Sequence, residues 1–181
     1  MKSLKNTLLL VALGSVATLG ANASMTQDYK PYVGAKVANV MFDDVDDIKV
    51  DSTTGLGLYA GIENANGFGI EVDYLKTNDA DVEYNNQKIG EAEYQTYGLS
   101  GVYRHSLASI NDGLYLKGKL GVRNVELKVK GDDLSTKGDD TNFSWGAGVG
   151  YKYSDKFGSE LTYEQHDSDL DMVSLSAYMK F

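Results

Sequence analysis

Val173-Ser174-Leu175-Ser176-Ala177-Tyr178-Met179-Lys180-Phe181 closes the chain. Every second residue is apolar (Val173, Leu175, Ala177, Met179, Phe181), and Ser, Ser, Tyr and Lys stand between them. A period of two is a strand with one apolar face. Alone in water such a strand is an exposed hydrophobic edge. In a bilayer it is one stave of a closed barrel, its apolar face toward lipid.

The remaining chain supplies matching staves. Alternation recurs in runs near 32–42, 55–63, 68–76, 94–105, 114–127, 143–153, 157–167 and 171–181. Each is close to the 9–11 residues that a tilted strand needs to cross hydrocarbon. Connections alternate in length. Asn64-Ala65-Asn66-Gly67, Ser106 to Gly113 and Ser154-Asp155-Lys156 are short and turn-forming, whereas 43–54, 77–93 and 128–142 are longer and charged and the last, at 168–170, is brief. Short turns at one end and long loops at the other describe an outer-membrane barrel with the long loops outside.

The two faces separate cleanly. One parity carries Val33, Ala35, Val37 and Met41, then Leu56, Leu58, Ala60 and Ile62, then Phe68, Ile70, Val72 and Tyr74. It continues through Tyr97, Leu99, Tyr103, Leu116, Leu120, Val122, Trp145, Ala147, Val149, Tyr151, Leu161 and Tyr163 without one charge. The opposite parity carries Lys36, Glu63, Glu71, Asp73, Arg104, Lys117, Lys119, Arg123, Lys152, Glu160, Glu164 and Lys180. A soluble sandwich gains nothing by excluding charge from its outer face. At the bilayer midplane an outward Arg or Lys costs roughly 2–4 kcal/mol. Aromatics fall near the strand ends: Phe42, Tyr74, Tyr97 and Trp145 toward the loops, and Phe68, Tyr103, Tyr151, Tyr153 and Phe181 toward the turns, forming two interfacial girdles. Glycines on the inner parity, among them Gly34, Gly57, Gly98 and Gly146, make room for long charged side chains in a narrow lumen. The fold expected is all-β, an eight-stranded antiparallel up-and-down transmembrane β-barrel.

Composition and the chain start agree with export. Lys2 and Lys5, the apolar run Leu8 to Leu19 and the small-x-small site Ala21-Asn22-Ala23 read as a secretory signal peptide over 1–23, with cleavage after Ala23 and a barrel domain over 24–181. The run is too short to span a bilayer. Cys is absent, so there is neither a disulfide frame nor a lipid-anchor cysteine. The single Pro, 20 Gly and 13 Tyr suit an all-β chain and suit a helical bundle badly. A formal charge of −9, more acidic still once Lys2 and Lys5 are removed, excludes nucleic acid as a partner because phosphates would repel it.

The chain resembles the small OmpA/OmpX-type outer-membrane β-barrel family, the outer membrane protein beta-barrel domain that includes the opacity-like adhesins. The resemblance rests on Pro31-Tyr32-Val33-Gly34-Ala35-Lys36 opening the barrel, Trp145-Gly146-Ala147-Gly148-Val149-Gly150-Tyr151 in the sixth stave, and Val173 to Phe181 closing it. It implies a cell outer-membrane location, and that Phe181 with Met179 and Ala177 is the signal read by the barrel-assembly machinery. No peptidoglycan-binding domain follows in this sequence, so a barrel alone is expected.

Three sets of residues are candidates for function. Taken stave by stave, the inner charges read plus, minus, minus, plus, plus, plus, minus, plus, so that Arg104, Lys117 and Lys119 oppose Glu71, Asp73 and Glu160 across the lumen. Fully paired, they plug the barrel and fix its register; incompletely paired, they would line a narrow porin-like channel. The loops are acidic: Asp43, Asp44, Asp46, Asp47 and Asp51, then Asp79, Asp81, Glu83, Glu91 and Glu93, then Asp132, Asp133, Asp139 and Asp140. Their spacing matches no twelve-residue Ca²⁺ loop ending in Glu, and neither a metal nor a cofactor is expected. Lys128, Lys130 and Lys137 offer point charges to lipopolysaccharide phosphates. Lastly, His166-Asp167-Ser168 has the His-x-Ser spacing of barrel lipid A deacylases. However, Asp169 stands where that family places Asn, and His166 shares the inward parity of Glu160 and Glu164, so a lipid-modifying enzyme is the remotest reading. His105 closes the fourth stave as an interfacial residue. The expected function is therefore non-enzymatic: envelope structure and surface interaction or adhesion through the extracellular loops. The expected partners are outer-membrane lipid, lipopolysaccharide and a host or cell-surface ligand, and the protein is expected to be a monomer.

Overall fold

The structure, a computed structural model, describes residues 29–42, 48–50, 52–78, 80–84, 87–130, 135–167 and 170–181. The signal segment with Ala21 and Ala23, the first-loop aspartates, Asp79, Asp132, Asp133 and the 168–169 pair lie outside the described residues. Within them the chain is all strand and turn. The strands are β1 (Tyr29–Phe42), β2 (Ile48–Val50), β3 (Thr53–Asn64), β4 (Phe68–Thr77), β5 (Ala80–Tyr84), β6 (Gln87–Ser106), β7 (Leu114–Lys130), β8 (Ser135–Lys152), β9 (Phe157–Asp167) and β10 (Leu170–Lys180). Around the barrel they run β1-β3-β4-β6-β7-β8-β9-β10, every neighbour antiparallel. β10 closes the ring on β1, with Tyr32 opposite Lys180 and Phe42 opposite Leu170. Closure satisfies each ladder from both sides, the only way a sheet can lie in hydrocarbon.

Eight strands form the wall, and the other two extend it. β5 pairs with the upper part of β6, Ala80 opposite Ala92, and β2 pairs with β5. β7 and β8 also continue beyond the predicted staves, Lys130 facing Ser135. The segments expected as long loops at 77–93 and 128–142 are therefore largely paired ribbon, and 43–54 includes β2. Above the bilayer no lipid requires every second side chain to be apolar, so the period-two signal fades while backbone pairing persists.

The turns are built locally. In the β3–β4 turn Gly67 has φ 86° and donates its N–H to Asn64 O at 3.0 Å, while Asn64 Oδ1 accepts from Asn66 N and Phe68 N, each at 3.0 Å. A Cβ on Gly67 would also lie 2.2 Å from Arg104 O, so glycine is required twice over.

Parity follows the sequence reading. Leu56, Leu58, Phe68, Ile70, Leu99, Leu120, Trp145, Leu161 and Leu175 are exposed on the outer wall. Ala60 also points outward but is covered by its larger neighbours. The girdles are in contact: Phe68 with Tyr103 (centroids 4.5 Å) and Tyr151 with Tyr153 (5.3 Å) toward the turns, Tyr74 with Tyr97 (6.2 Å) and Trp145 with Tyr163 (6.0 Å) toward the loops. The Phe42 side chain is outside the described set. Ala177 and Phe181 are exposed outward, Met179 is half-buried, and Phe181 N donates to Pro31 O at 3.0 Å.

Leu120 is 61% exposed on the outer face of β7, and its neighbour Lys119 is buried in the lumen. Leu120→Arg is expected to cost about 2–4 kcal/mol in the bilayer. It should slow the appearance of the compact, heat-modifiable form on a denaturing gel, while Leu120→Ala folds nearly as the parent. Equal folding of the two variants would reverse the faces.

Candidate functional site

The lumen is filled in layers, each set by which strand offers an inward position at that height. At the turn end lies a floor of four tyrosines, Tyr32, Tyr59, Tyr115 and Tyr178, all buried. Tyr32 meets Tyr59 and Tyr178 edge-on, both at 6.2 Å. The Tyr115 hydroxyl donates to Glu160 Oε1 at 2.9 Å and lies 3.1 Å from the Tyr178 hydroxyl; Tyr32 donates to Glu71 Oε2 at 3.1 Å. Inner glycines make these rings fit. A Cβ on Gly34 would sit 2.3 Å from the Tyr59 ring, and one on Gly150 2.2 Å from that of Tyr115. Inner glycines make space for charge at Gly57, beside Lys36, at Gly98, beside Asp73 and Arg123, and at Gly146, beside Glu164, and they admit tyrosine at Gly34, Gly61, Gly150 and Gly158.

Two ionic layers follow, the first interleaved with the tyrosines, since Glu63 and Lys180 lie nearer the turns than Tyr59 and Tyr178 on the same strands. In the first, Arg104 places Nη1 2.6 Å from Glu63 Oε2 and Nε 2.8 Å from Glu160 Oε1, with its guanidinium 4.7 Å from the Tyr32 ring centre. Lys117 bridges Glu160 (2.7 Å) and Glu71 (2.9 Å), and Lys180 reaches Glu63 at 2.7 Å. In the second, Asp73 receives both Arg123 amino groups (2.7 and 3.0 Å) and Lys36 (2.9 Å), and Glu164 receives Arg123 at 3.0 Å. Lys119 ties the layers together, 3.1 Å from Glu71, 3.1 Å from Asp73 and 3.2 Å from Glu164. Thus eleven of the twelve inner charges read from the sequence join one network. Lys152 does not: it is half-buried at the turn end, its ammonium 5.4 Å from the Tyr115 ring.

At the loop end the roof is apolar. Ala38, Val40, Leu75, Tyr94 and Met172 pack together with Val125 and Leu170 against them. His166 lies beneath, fully buried, its Nδ1 3.1 Å from the Tyr94 hydroxyl and its Nε2 3.5 Å from Glu164 Oε2. Neither the tyrosine floor nor this roof stands out in the sequence, since their residues are single letters or, at Ala38 and Val40, a pair within a mostly polar parity. His105 is exposed, its Nδ1 3.3 Å from the Tyr103 hydroxyl. Among the described residues no group of three His, Cys, Asp or Glu side chains is placed to hold a metal ion. The cations of the two layers are directed at internal carboxylates, while Arg104 Nη2 and Arg123 Nε are buried without a hydrogen bond of their own.

Comparison with known proteins gives the same architecture. The family described as "Outer membrane protein beta-barrel domain" matches residues 7–179. Among solved structures, Ail, the attachment invasion locus protein of Yersinia pestis, is 21% identical with a TM-score of 0.57, covering 87% of this chain and 100% of Ail. Neisserial surface protein A is 13% identical with a TM-score of 0.62, covering 83% of this chain and 97% of its own. The N-terminal β-barrel domain of Pseudomonas aeruginosa OprF is 13% identical with a TM-score of 0.59, over the same shares of 83% and 97%. At such identities the likeness is one of fold. The curated proteins contain no match.

Asp73 is the shared acceptor of Lys36, Lys119 and Arg123, so Asp73→Ala leaves buried cations short of a partner. Breaking a buried pair costs about 3–5 kcal/mol. Urea unfolding from lipid vesicles should show that loss. Lys76→Ala, which removes a half-exposed ion pair to Glu93 (3.0 Å), should cost at most about 1 kcal/mol. Comparable losses would mean that the lumen is hydrated and its charges are screened.

Proposed function

The chain belongs to the family of outer membrane protein β-barrel domains and lies in the cell outer membrane, and on that premise we propose that it is a non-enzymatic envelope protein acting outward through its extracellular loops. The lumen serves as a plug. The observation that carries this reading is the continuous cross-section of paired charge between a tyrosine floor and an apolar roof. Buried charges that satisfy one another leave no vacancy for a solute. The same geometry counts against a lipid-modifying enzyme, for which a nucleophile and base must face lipid: His166 is turned inward onto Tyr94 and Glu164, and Ser168 lies outside the described residues.

The loop-end segments supply the interacting surface. They are rich in Asp and Glu, with five Asp between positions 43 and 51. Ail has been solved with sucrose octasulfate, a heparin analogue. A polyanion of that kind is the wrong sign for the first loop here, so the favoured ligand is a basic or neutral surface group. Lys128, Lys130 and Lys137 offer point charges to lipopolysaccharide phosphates. Ala177, Met179 and Phe181 form the terminal signal for the assembly machinery, and the barrel acts as a monomer.

Two measurements test the proposal. The purified barrel in a planar bilayer should show rare openings or none; steady, ion-selective current would favour a channel instead. Cells expressing the chain should adhere to a cationic surface better than cells expressing a variant with Asp43, Asp44, Asp46 and Asp47 changed to Asn, the difference shrinking as salt rises. Equal adhesion at low salt would remove the first loop from the account.

A further inference from the structure

The outer wall is not evenly filled. Across β4, β3, β1, β10 and β9 it carries an open hollow of about 710 Å³ with a mostly apolar lining. Register explains its shape. Tyr74, Leu58, Ala35, Ala177 and Ser159 are successive cross-strand partners, one outward residue per strand. Three of the five are small, so the row is a groove; the next outward row, Leu56, Val37 and Leu175, stands above it as a wall. Four inter-strand spacings of about 4.8 Å make the groove about 19 Å long. It is oblique: Ser159 lies two residues above the turn end of β9, Tyr74 six residues above the start of β4. It therefore climbs from the turn-side interface toward the loop-side girdle.

Its lower end is polar. The Tyr153 hydroxyl and Ser159 Oγ are 2.8 Å apart there, both on the outer surface of the barrel. Exposed Lys156 follows in the same turn, its carbonyl accepting from Lys180 N at 2.7 Å, which fixes the turn beside β10. A narrow apolar groove ending in hydroxyls and then the exposed Asp155 and Lys156, at the depth where hydrocarbon gives way to headgroups, matches an amphiphile with a phosphate-bearing head. A second barrel would meet this wall as a convex cylinder and leave the groove empty.

We propose that the groove is the seat of one phospholipid of the periplasmic leaflet, an acyl chain lying along Ala35 and Ala177 and the phosphate paired with Lys156. Short turns of outer-membrane barrels face the periplasm, which sets the leaflet. The lipid is a fixed part of the barrel surface, held in place while its neighbours exchange.

The full barrel in vesicles of phosphatidylethanolamine and phosphatidylglycerol, doped with phosphatidylglycerol carrying a photoreactive acyl chain, tests this directly. After photolysis, adducts should concentrate on segments 35–37, 56–58 and 175–177, several-fold over the paired residues Leu99 and Val122 on the far wall. Ala35→Phe should abolish that excess while the folded form still migrates fast on an unheated gel. Lys156→Gln, which keeps the backbone bond from Lys180 and changes only an exposed side chain, should lose the preference for phosphatidylglycerol over phosphatidylcholine. Even labelling around the barrel, or barrel-to-barrel cross-links through segment 35–37 in place of lipid adducts, would overturn the proposal. The parent's labelling map decides even if Ala35→Phe does not fold.

Discussion

Hydrocarbon offers no hydrogen-bond partner, and every feature of this molecule follows from that. A backbone in the membrane must satisfy each N–H and C=O within itself, so the sheet has to close, as β10 does on β1. Closure with a period of two leaves one parity facing lipid and one facing inward. Charge is too costly outside, so the charged residues of the staves are forced into a lumen barely wide enough for side chains. Once there, each needs an opposite partner, and the layers of Glu63, Glu71, Asp73, Glu160 and Glu164 against six cations meet that need.

Register and network specify one another. Slipping any stave by one residue would carry its inner charge to the lipid face and strip its partner across the lumen. Lys119 shows how tightly this is drawn, since it touches carboxylates contributed by both β4 and β9. Such a network is weak evidence for stability, because desolvation offsets most of the Coulomb gain. Its clearer consequence is a single arrangement of staves, with ion pairs spanning the cross-section.

The barrel was legible because lipid writes its demand into every second letter. Val173 to Phe181, Leu56 to Ile62 and Phe68 to Tyr74 keep their parity in the structure, and the acid and base positions opposite them face the lumen. Legibility fades where that demand stops. β2, β5 and the upper reaches of β6 to β8 lie beyond the apolar alternation, so charged segments read as loops while the backbone continued to pair. Inside the lumen, sequence says which residues point inward but not at which height. Tyr32, Tyr59, Tyr115 and Tyr178 are scattered along the chain and meet only because the tilt of the strands brings them level. The same holds for His166 under Tyr94, and for Lys152, which meets the Tyr115 ring and no carboxylate.

The plug requires a lumen closed to water, and the reactivity of individual lysines in the folded barrel reads that state most directly. With a small amine-acetylating reagent followed by peptide mass spectrometry, exposed Lys30 and Lys156 should react at once. Lys36, Lys117 and Lys119, each in contact with two or more carboxylates, should stay unmodified until the barrel is unfolded. Modification of those three at the rate of Lys30, with the barrel still in its compact form, would mean that water and solutes enter the lumen freely, and the plug would give way to a pore.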